Sequence, residues 1–240
     1  MLHNATVCEP GKVRRLNQDA VLALSDNDEG LYLVADGMGG GYGGEKASAL
    51  LRDEFATWWQ SSRRQGQTAP FDQIIEELQD ILSRCSGQIL RMAPTGTVCG
   101  STLALLWVRN GIFVILSVGD SRVYRIRPRW CGASLSLLTY DDVARPKEGW
   151  APKEIGHLTR YVGAQEPMRG TLRTGVWDPR DILMLCSDGV YKSCPETVWG
   201  RVLGPDLRRG ALDEAAQRFS ARILQQGARD NFSLILVQQV

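Results

Sequence analysis

Residues 100–127 read GSTLALLWVRNGIFVILSVGDSRVYRIR. Three runs rich in branched and aromatic side chains, Ser101 to Val108, Ile112 to Ser117 and Val123 to Arg127, are separated only by turn signals. Runs of this length and composition predict strands. Between the first two, Arg109-Asn110-Gly111 supplies the Asn-Gly pair that tolerates consecutive left-handed residues in a tight hairpin. So short a connection has no room for a crossover helix, and the strands it joins are expected to be antiparallel.

Downstream, a strand is expected near Leu135 to Leu138, followed by a charged, proline-containing loop from Tyr140 to Lys153. Thr171 to Val176 and Ile182 to Cys186 predict a further strand pair. A helix around Ala211 to Gln226 then precedes a last strand, Phe232 to Gln238. Upstream, Leu31 to Ala35 is a compact apolar run that stops at Asp36-Gly37. Ala47, Leu50, Leu51, Phe55 and Trp58 then recur at helical spacing. After Pro70 so do Phe71, Ile74, Ile75, Leu78, Ile81, Leu82, Cys85, Ile89 and Leu90, which predicts two long helices joined by the polar stretch Ser61 to Thr68. Strands outnumber helices and mostly follow short turns, which predicts an α+β antiparallel sandwich rather than a doubly wound parallel sheet.

The 240 residues suit one domain, 1–240, with enough chain to bury a core. Acids and bases nearly cancel, 27 against 28, so overall charge gives no reason to expect nucleic acid or an anionic membrane as partner. Arg201, Arg208 and Arg209 read as solvated helix ends. The start, MLHNATVCEPGKVRRLNQD, lacks a charged-then-apolar leader, and Ile112 to Val118 is far too short to span a bilayer. Six cysteines without CxxC or zinc-finger spacing read as reduced core residues of a cytoplasmic protein. A monomer is expected.

The aspartates carry the chemical signal. Asp36 follows one predicted strand, Asp120 a second and Asp188 a third, while Asp230 precedes the last strand and Asp19 follows Asn17-Gln18. Asp-Gly and Gly-Asp pairs make turns without any further role. Several carboxylates gathered at strand ends would also give a hard divalent cation the rigid oxygen ligands it needs. Two cations sharing a carboxylate would acidify a water and neutralise phosphoryl oxygens.

Seven blocks in order resemble the metal-dependent serine/threonine protein phosphatases of the type 2C (PPM) family, in their short bacterial form. The first three are Val13-Arg14-Arg15-Leu16-Asn17-Gln18-Asp19, Ala35-Asp36-Gly37-Met38-Gly39-Gly40 and Gly100-Ser101-Thr102. The others are Ser117-Val118-Gly119-Asp120-Ser121-Arg122-Val123-Tyr124, Leu158-Thr159-Arg160, Leu185-Cys186-Ser187-Asp188-Gly189 and Asp230-Asn231. The resemblance implies a four-layer α-β-β-α sandwich with two central antiparallel sheets, and two ions, Mn2+ or Mg2+. Asp36 would bridge the ions, the Gly37 carbonyl would join one coordination sphere, and Asp188 and Asp230 would complete the other. Asp120 would help hold a weaker third ion, Asp19 would orient water, and Arg14 would grip the substrate phosphate with its forked donors. A water bridging the two metals would then attack phosphorus in line. Phosphorylated proteins are the implied partners, together with a serine/threonine kinase in the same cell.

The sequence departs from that pattern in two places. Many bacterial members carry a histidine after Asp-Gly-Met-Gly-Gly, where this chain has Gly41 and Tyr42, so the proton donor to the leaving alkoxide is open. His157 precedes Leu158-Thr159-Arg160 but suits a surface or core role. The stretch from Asp142 to His157 is also shorter than the usual bacterial flap, which leaves substrate choice open; Lys147 and Trp150 are its candidate substrate contacts. A catalytically silent phosphoprotein-binding module and a small-metabolite phosphatase stay open as alternatives. Cys85 to Arg91 matches Cys-x5-Arg but continues a helical pattern with no preceding histidine, which argues against a cysteine phosphatase. Gly39 to Ser48 fails as a phosphate loop, because Lys46 follows no glycine directly and Ala47 takes the hydroxyl position.

Overall fold

The computed structural model describes residues 1–39, 43–64, 69–144 and 157–240. One sheet has the order β1-β11-β10-β7-β8, from β1 (Leu2–Glu9), β7 (Arg122–Arg129), β8 (Gly132–Leu137), β10 (Ile182–Cys186) and β11 (Phe232–Gln239). The other runs β2-β3-β5-β6-β9, from β2 (Asp19–Asp26), β3 (Glu29–Met38), β5 (Leu103–Arg109), β6 (Ile112–Val118) and β9 (Thr171–Val176), with the short β4 (Gly100–Ser101) paired to the end of β3. Every pairing is antiparallel. Helices α1 (Gly44–Arg64) and α2 (Phe71–Met92) belong to the second sheet's outer layer. Helices α4 (Glu196–Leu207) and α5 (Leu212–Gln225) cover the first, and the short α3 (Asp188–Ser193) follows β10. This is the expected α-β-β-α sandwich.

Side-chain alternation builds the layers. Along β3, Leu31, Leu33 and Ala35 pack under α1 and α2, while Tyr32 and Val34 enter the space between the sheets. On β10, Ile182, Met184 and Cys186 face α4 and α5, and Leu183 and Leu185 face the other sheet. A strand covered on both faces reads as an unbroken apolar run, which is why these were conspicuous in the sequence. The β5–β6 hairpin turns as predicted, with Asn110 and Gly111 both at positive φ (51° and 76°).

Several expectations are corrected. β3 does not stop at Ala35: Asp36 still pairs with Asp19, and Gly37 and Met38 pair with Ser101 and Gly100. Thr171–Val176 and Ile182–Cys186 are not partners; β9 pairs with β6 and β10 lies in the other sheet, the chain crossing between them at Trp177–Asp181. Two cysteines, Cys8 and Cys131, are exposed, whereas Cys85, Cys99, Cys186 and Cys194 are buried, and all six are free. Leu90 lies off the buried face of α2. Residues 61–64 of the expected linker are helical, and residues 65–68 lie outside the described residues. β1, β2, β4, α3 and α4 were not anticipated. Among the described residues no helix is long and apolar enough to cross a membrane.

Trp199 anchors α4. It is fully buried, edge-on to Tyr124 (5.0 Å) and Phe219 (5.2 Å), and its indole N–H donates to the Cys194 carbonyl at 2.8 Å. Trp199→Ala is expected to cost about 3–5 kcal/mol, read as a lower urea midpoint at unchanged slope.

Candidate active site

Because neighbouring strands alternate in direction, the starts of β2 and β11 meet the ends of β3, β6 and β10 at one pole of the sandwich. Asp19 opens β2 opposite Asp36 on β3. Asp120 follows β6, Asp188 is the first residue of α3 directly after β10, and Asp230 stands just before β11. The five carboxylates singled out in the sequence therefore converge.

Tight backbone contacts hold them. A Cβ on Gly37 would lie 2.1 Å from the Gly44 carbonyl oxygen, and one on Gly189 would lie 1.9 Å from that of Asn231; no side chain fits either place. The backbone of Asp36 is fixed by the Gly100-Ser101-Thr102 segment: its N–H donates to Thr102 Oγ1 (3.0 Å), and its carbonyl accepts from Thr102 N–H (2.9 Å) and Ser101 Oγ (3.1 Å). Ser187 Oγ ties the two sheets together by donating to Asp19 Oδ2 (2.8 Å) while accepting from Ser233 N–H (3.0 Å). Asn231 clamps the loop that carries Arg14. Its amide donates to the carbonyls of Pro10 and Leu16, both at 3.0 Å, and its Oδ1 accepts from Gln18 N–H at 3.0 Å.

The pocket carries more negative charge than the chain's own bases offset. Burial, then the charges of Asp19, Asp188 and Asp120, raise the Asp36 carboxyl well above the usual range. Burial pushes Asp19 up to about 6, despite the hydrogen bond from Ser187, and Asp188 and Asp230 add to the rise. Burial and Asp188 likewise raise Asp120. Against five acids stand two bases. Arg14 forks Asp230 (Nε–Oδ1 2.8 Å, Nη2–Oδ2 3.0 Å), and Lys192 pairs with Asp188 and lies 3.8 Å from Asp120. One buried oxygen, Asp19 Oδ1, has no hydrogen-bond partner.

This donor set fits hard divalent cations: all oxygen, mutually repelling, and with an orphaned buried acceptor. Among the described residues no three such side chains already surround one point. Asp230 is engaged by Arg14 and Asp188 by Lys192. A hydrated magnesium-like ion needs only one or two direct carboxylates, with water filling the remaining positions.

Three functional neighbours were not anticipated. Lys192 sits four residues after Asp188 on α3, a spacing that would have flagged it had that helix been foreseen. Tyr191 Oη donates to the Asp120 backbone carbonyl (3.0 Å) and lies 3.3 Å from its Oδ2. Arg122 stacks 3.7 Å over the Tyr191 ring and forks Asp141, at the threshold of the flap. Gly41, Tyr42, Lys147 and Trp150 lie outside the described residues. His157 is exposed, and its carbonyl accepts from Ala144 N–H. Cys85 is buried within α2, where burial pushes its thiol up to about 12, the opposite of a catalytic thiolate. Lys46 and Ala47 lie in the first turn of α1.

An ionised Asp19 destabilises the metal-free fold. Its raised pKa means that the native state holds a proton the unfolded chain has lost, so stability falls as pH rises from about 4 to about 6 and stays low above that. Asp19→Asn, measured in chelator at pH 7.5, is expected to gain on the order of 2 kcal/mol, read as a raised Tm. The gain should shrink toward zero near pH 4.

The sequence profile of the family described as Protein phosphatase 2C matches residues 12–225. The serine/threonine phosphatase stp of Listeria welshimeri is 26% identical over 253 residues, covering 99% of this chain and 96% of its own. Among solved structures, PppA, described as a key regulatory component of T6SS in Pseudomonas aeruginosa, superposes with a TM-score of 0.81 at 28% identity, over 99% of this chain and 97% of its own. The catalytic domain of the serine/threonine protein phosphatase PstP in complex with two manganese ions shares the fold, with a TM-score of 0.76 at 24% identity over 99% and 97%. The chain belongs to the protein phosphatase 2C family.

Proposed function

We propose that this chain, acting as a single catalytic domain, hydrolyses phosphoserine and phosphothreonine monoesters in other proteins by in-line attack of water, with two divalent cations, manganese or magnesium. The observation that carries the reading is the cluster of five carboxylates on rigid strand ends, with Asp36 at its centre and its negative charge only partly offset. Names of relatives support it: the Listeria protein is a serine/threonine phosphatase, and the PstP domain holds two manganese ions.

When bound, the cations supply an acidified water and neutralise charge on the phosphoryl oxygens. Asp36, Asp188, Asp230 and the Gly37 carbonyl are the oxygen donors that would hold them. Asp120 would contribute to a weaker third site. Lys192, now paired with Asp188, would have to release that carboxylate to a divalent ion, which competes more strongly for it. Asp19, anchored by Ser187, accepts a hydrogen bond from water through its unpartnered Oδ1 and so orients it. Arg14 is half exposed on the loop clamped by Asn231; its planar fork, now on Asp230, presents the geometry that grips a phosphate dianion. By this reading a serine/threonine kinase is its counterpart in the cell.

Purified protein incubated with a phosphothreonine peptide is expected to release phosphate only with manganese or magnesium present, and to stop on addition of excess chelator. Asp36→Ala and Asp188→Ala should each lower kcat at least about a hundredfold, whereas Cys85→Ser should leave it unchanged. Release without metal, or normal turnover by either aspartate variant, would overturn the assignment. Phosphate release from sugar phosphates but not from the peptide would replace the protein substrate with a small metabolite.

A further inference from the structure

The side of the sandwich formed by β8 and β9 differs from the rest of its perimeter. These strands end their sheets, so each carries backbone N–H and C=O groups without a strand partner among the described residues. Between them the inter-sheet space opens to the surface at two places. Near the active-site pole lies a cleft of ≈ 220 Å³ bounded by Ser117, Leu138, Tyr140, Thr171 and Arg173. Farther along the same side is a second hollow of ≈ 210 Å³, bounded by Arg125, Arg127, Arg129, Ser134, Ser136 and Asp181.

Arginines predominate along this side, although Asp178 and Asp181 both pair with Arg127. Arg125, Arg127 and Arg129 alternate on the face of β7 that turns toward the other sheet, and Arg173 projects from β9 to meet them. Asp181 is fully buried and occupied by Arg127, with Arg125 at 3.6 Å. Arg173 donates to the Leu138 carbonyl (3.2 Å) and Arg129 to Ser134 Oγ (3.4 Å), and neither has a carboxylate partner among the described residues. Most of their guanidinium donors therefore remain available at the mouth of the opening.

The upper end adjoins the active site. Thr171 accepts from Arg160 (3.3 Å), Arg160 pairs with Asp142 (3.2 Å), and Asp142 Oδ2 accepts from the N–H of Gly119, the residue before Asp120. A chain leaving the metal pocket past Tyr140, whose ring is 68% exposed, would run directly into this opening.

We propose that the opening between β8 and β9 docks an acidic, extended segment of the phosphoprotein substrate, away from the phosphorylated residue itself. The proposal rests on the phosphatase reading above and adds to it a class of substrate. Six residues of extended chain span the length of β9, about 20 Å, with carboxylates meeting Arg173 first and Arg129 last. The free edge of β9 offers main-chain hydrogen bonds to the same segment. Charged edge strands also keep sheets from pairing between molecules, but that role needs neither a cleft nor continuity with the catalytic pole.

Two measurements on the whole chain test this. In the first, fluorescence anisotropy follows a labelled, unphosphorylated Glu-rich dodecapeptide binding to the wild type, Arg129→Glu and Ser136→Glu, the last adding charge without removing any contact. Wild type should bind this peptide at least tenfold more tightly than a neutral peptide of equal length, and both variants should lose that preference. In the second, kcat/KM is compared for a short phosphothreonine peptide and for the same peptide carrying an acidic tract about six to ten residues away, on either side. The extended peptide should win through KM, and Ser136→Glu should abolish the advantage while turnover of a small aryl phosphate shows the variant folded. Equal binding of acidic and neutral peptides, or variants that aggregate without any change in peptide affinity, would overturn the proposal. Failure of the phosphatase reading looks different: no substrate releases phosphate, yet the acidic peptide still binds.

Discussion

Asp36 shares a pocket with Asp19, Asp120 and Asp188 at the end of the sandwich, and burial raises the cost of every charge placed there. Left to itself such a cluster would push the strand ends apart. The surrounding structure prevents that with contacts that admit no slack: glycines where any Cβ would overlap a neighbouring carbonyl, a serine joining the two sheets, and an asparagine holding a nine-residue loop by three hydrogen bonds. Stability is given up locally to keep these carboxylates together, a pattern expected where function needs preorganisation.

The rigidity comes from the three apolar layers beneath. β3, β5, β10 and β11 each place alternate side chains in a helix-covered core and in the core between the sheets, so a slip of one residue would move every side chain to the wrong layer. Register is fixed by packing along the strands, and the carboxylates inherit that precision at their ends. Arg122 extends the same logic sideways, coupling Asp120 through Tyr191 to Asp141 and to Glu196 on α4.

How much of this was legible depended on burial. Strands covered on both faces announced themselves as apolar runs, and the Asn110-Gly111 hairpin was readable from its turn chemistry. β1 and β2 were harder. β1 mixes polar and apolar residues because it forms one edge of its sheet, and only Ala5 along it is fully buried. Helix α4 was hidden by Pro195, Gly200, Gly204 and Pro205, residues that usually end helices; here the glycines let α4 press onto the backbone of Gly132 and Ala133. That β9 and β10 lie in different sheets could not be read from either strand, because it is decided by which edge each finds free. At the site, Asp36, Asp120, Asp188 and Asp230 were legible because each abuts a predicted strand and a turn residue, whereas Asp19 stood out only through the family resemblance. The pairing of Arg14 with Asp230, 216 residues apart, was not, since it depends on the whole fold.

If the proposed function holds, this pocket binds divalent cations on its own carboxylates. Isothermal titration calorimetry of manganese into chelator-stripped protein at pH 7.5 tests it without reference to any substrate. Two saturable equivalents per chain are expected, with a weaker third at higher concentration, and loss of the tight binding in Asp36→Asn. Absence of binding, or binding that Asp36→Asn leaves intact, would contradict it.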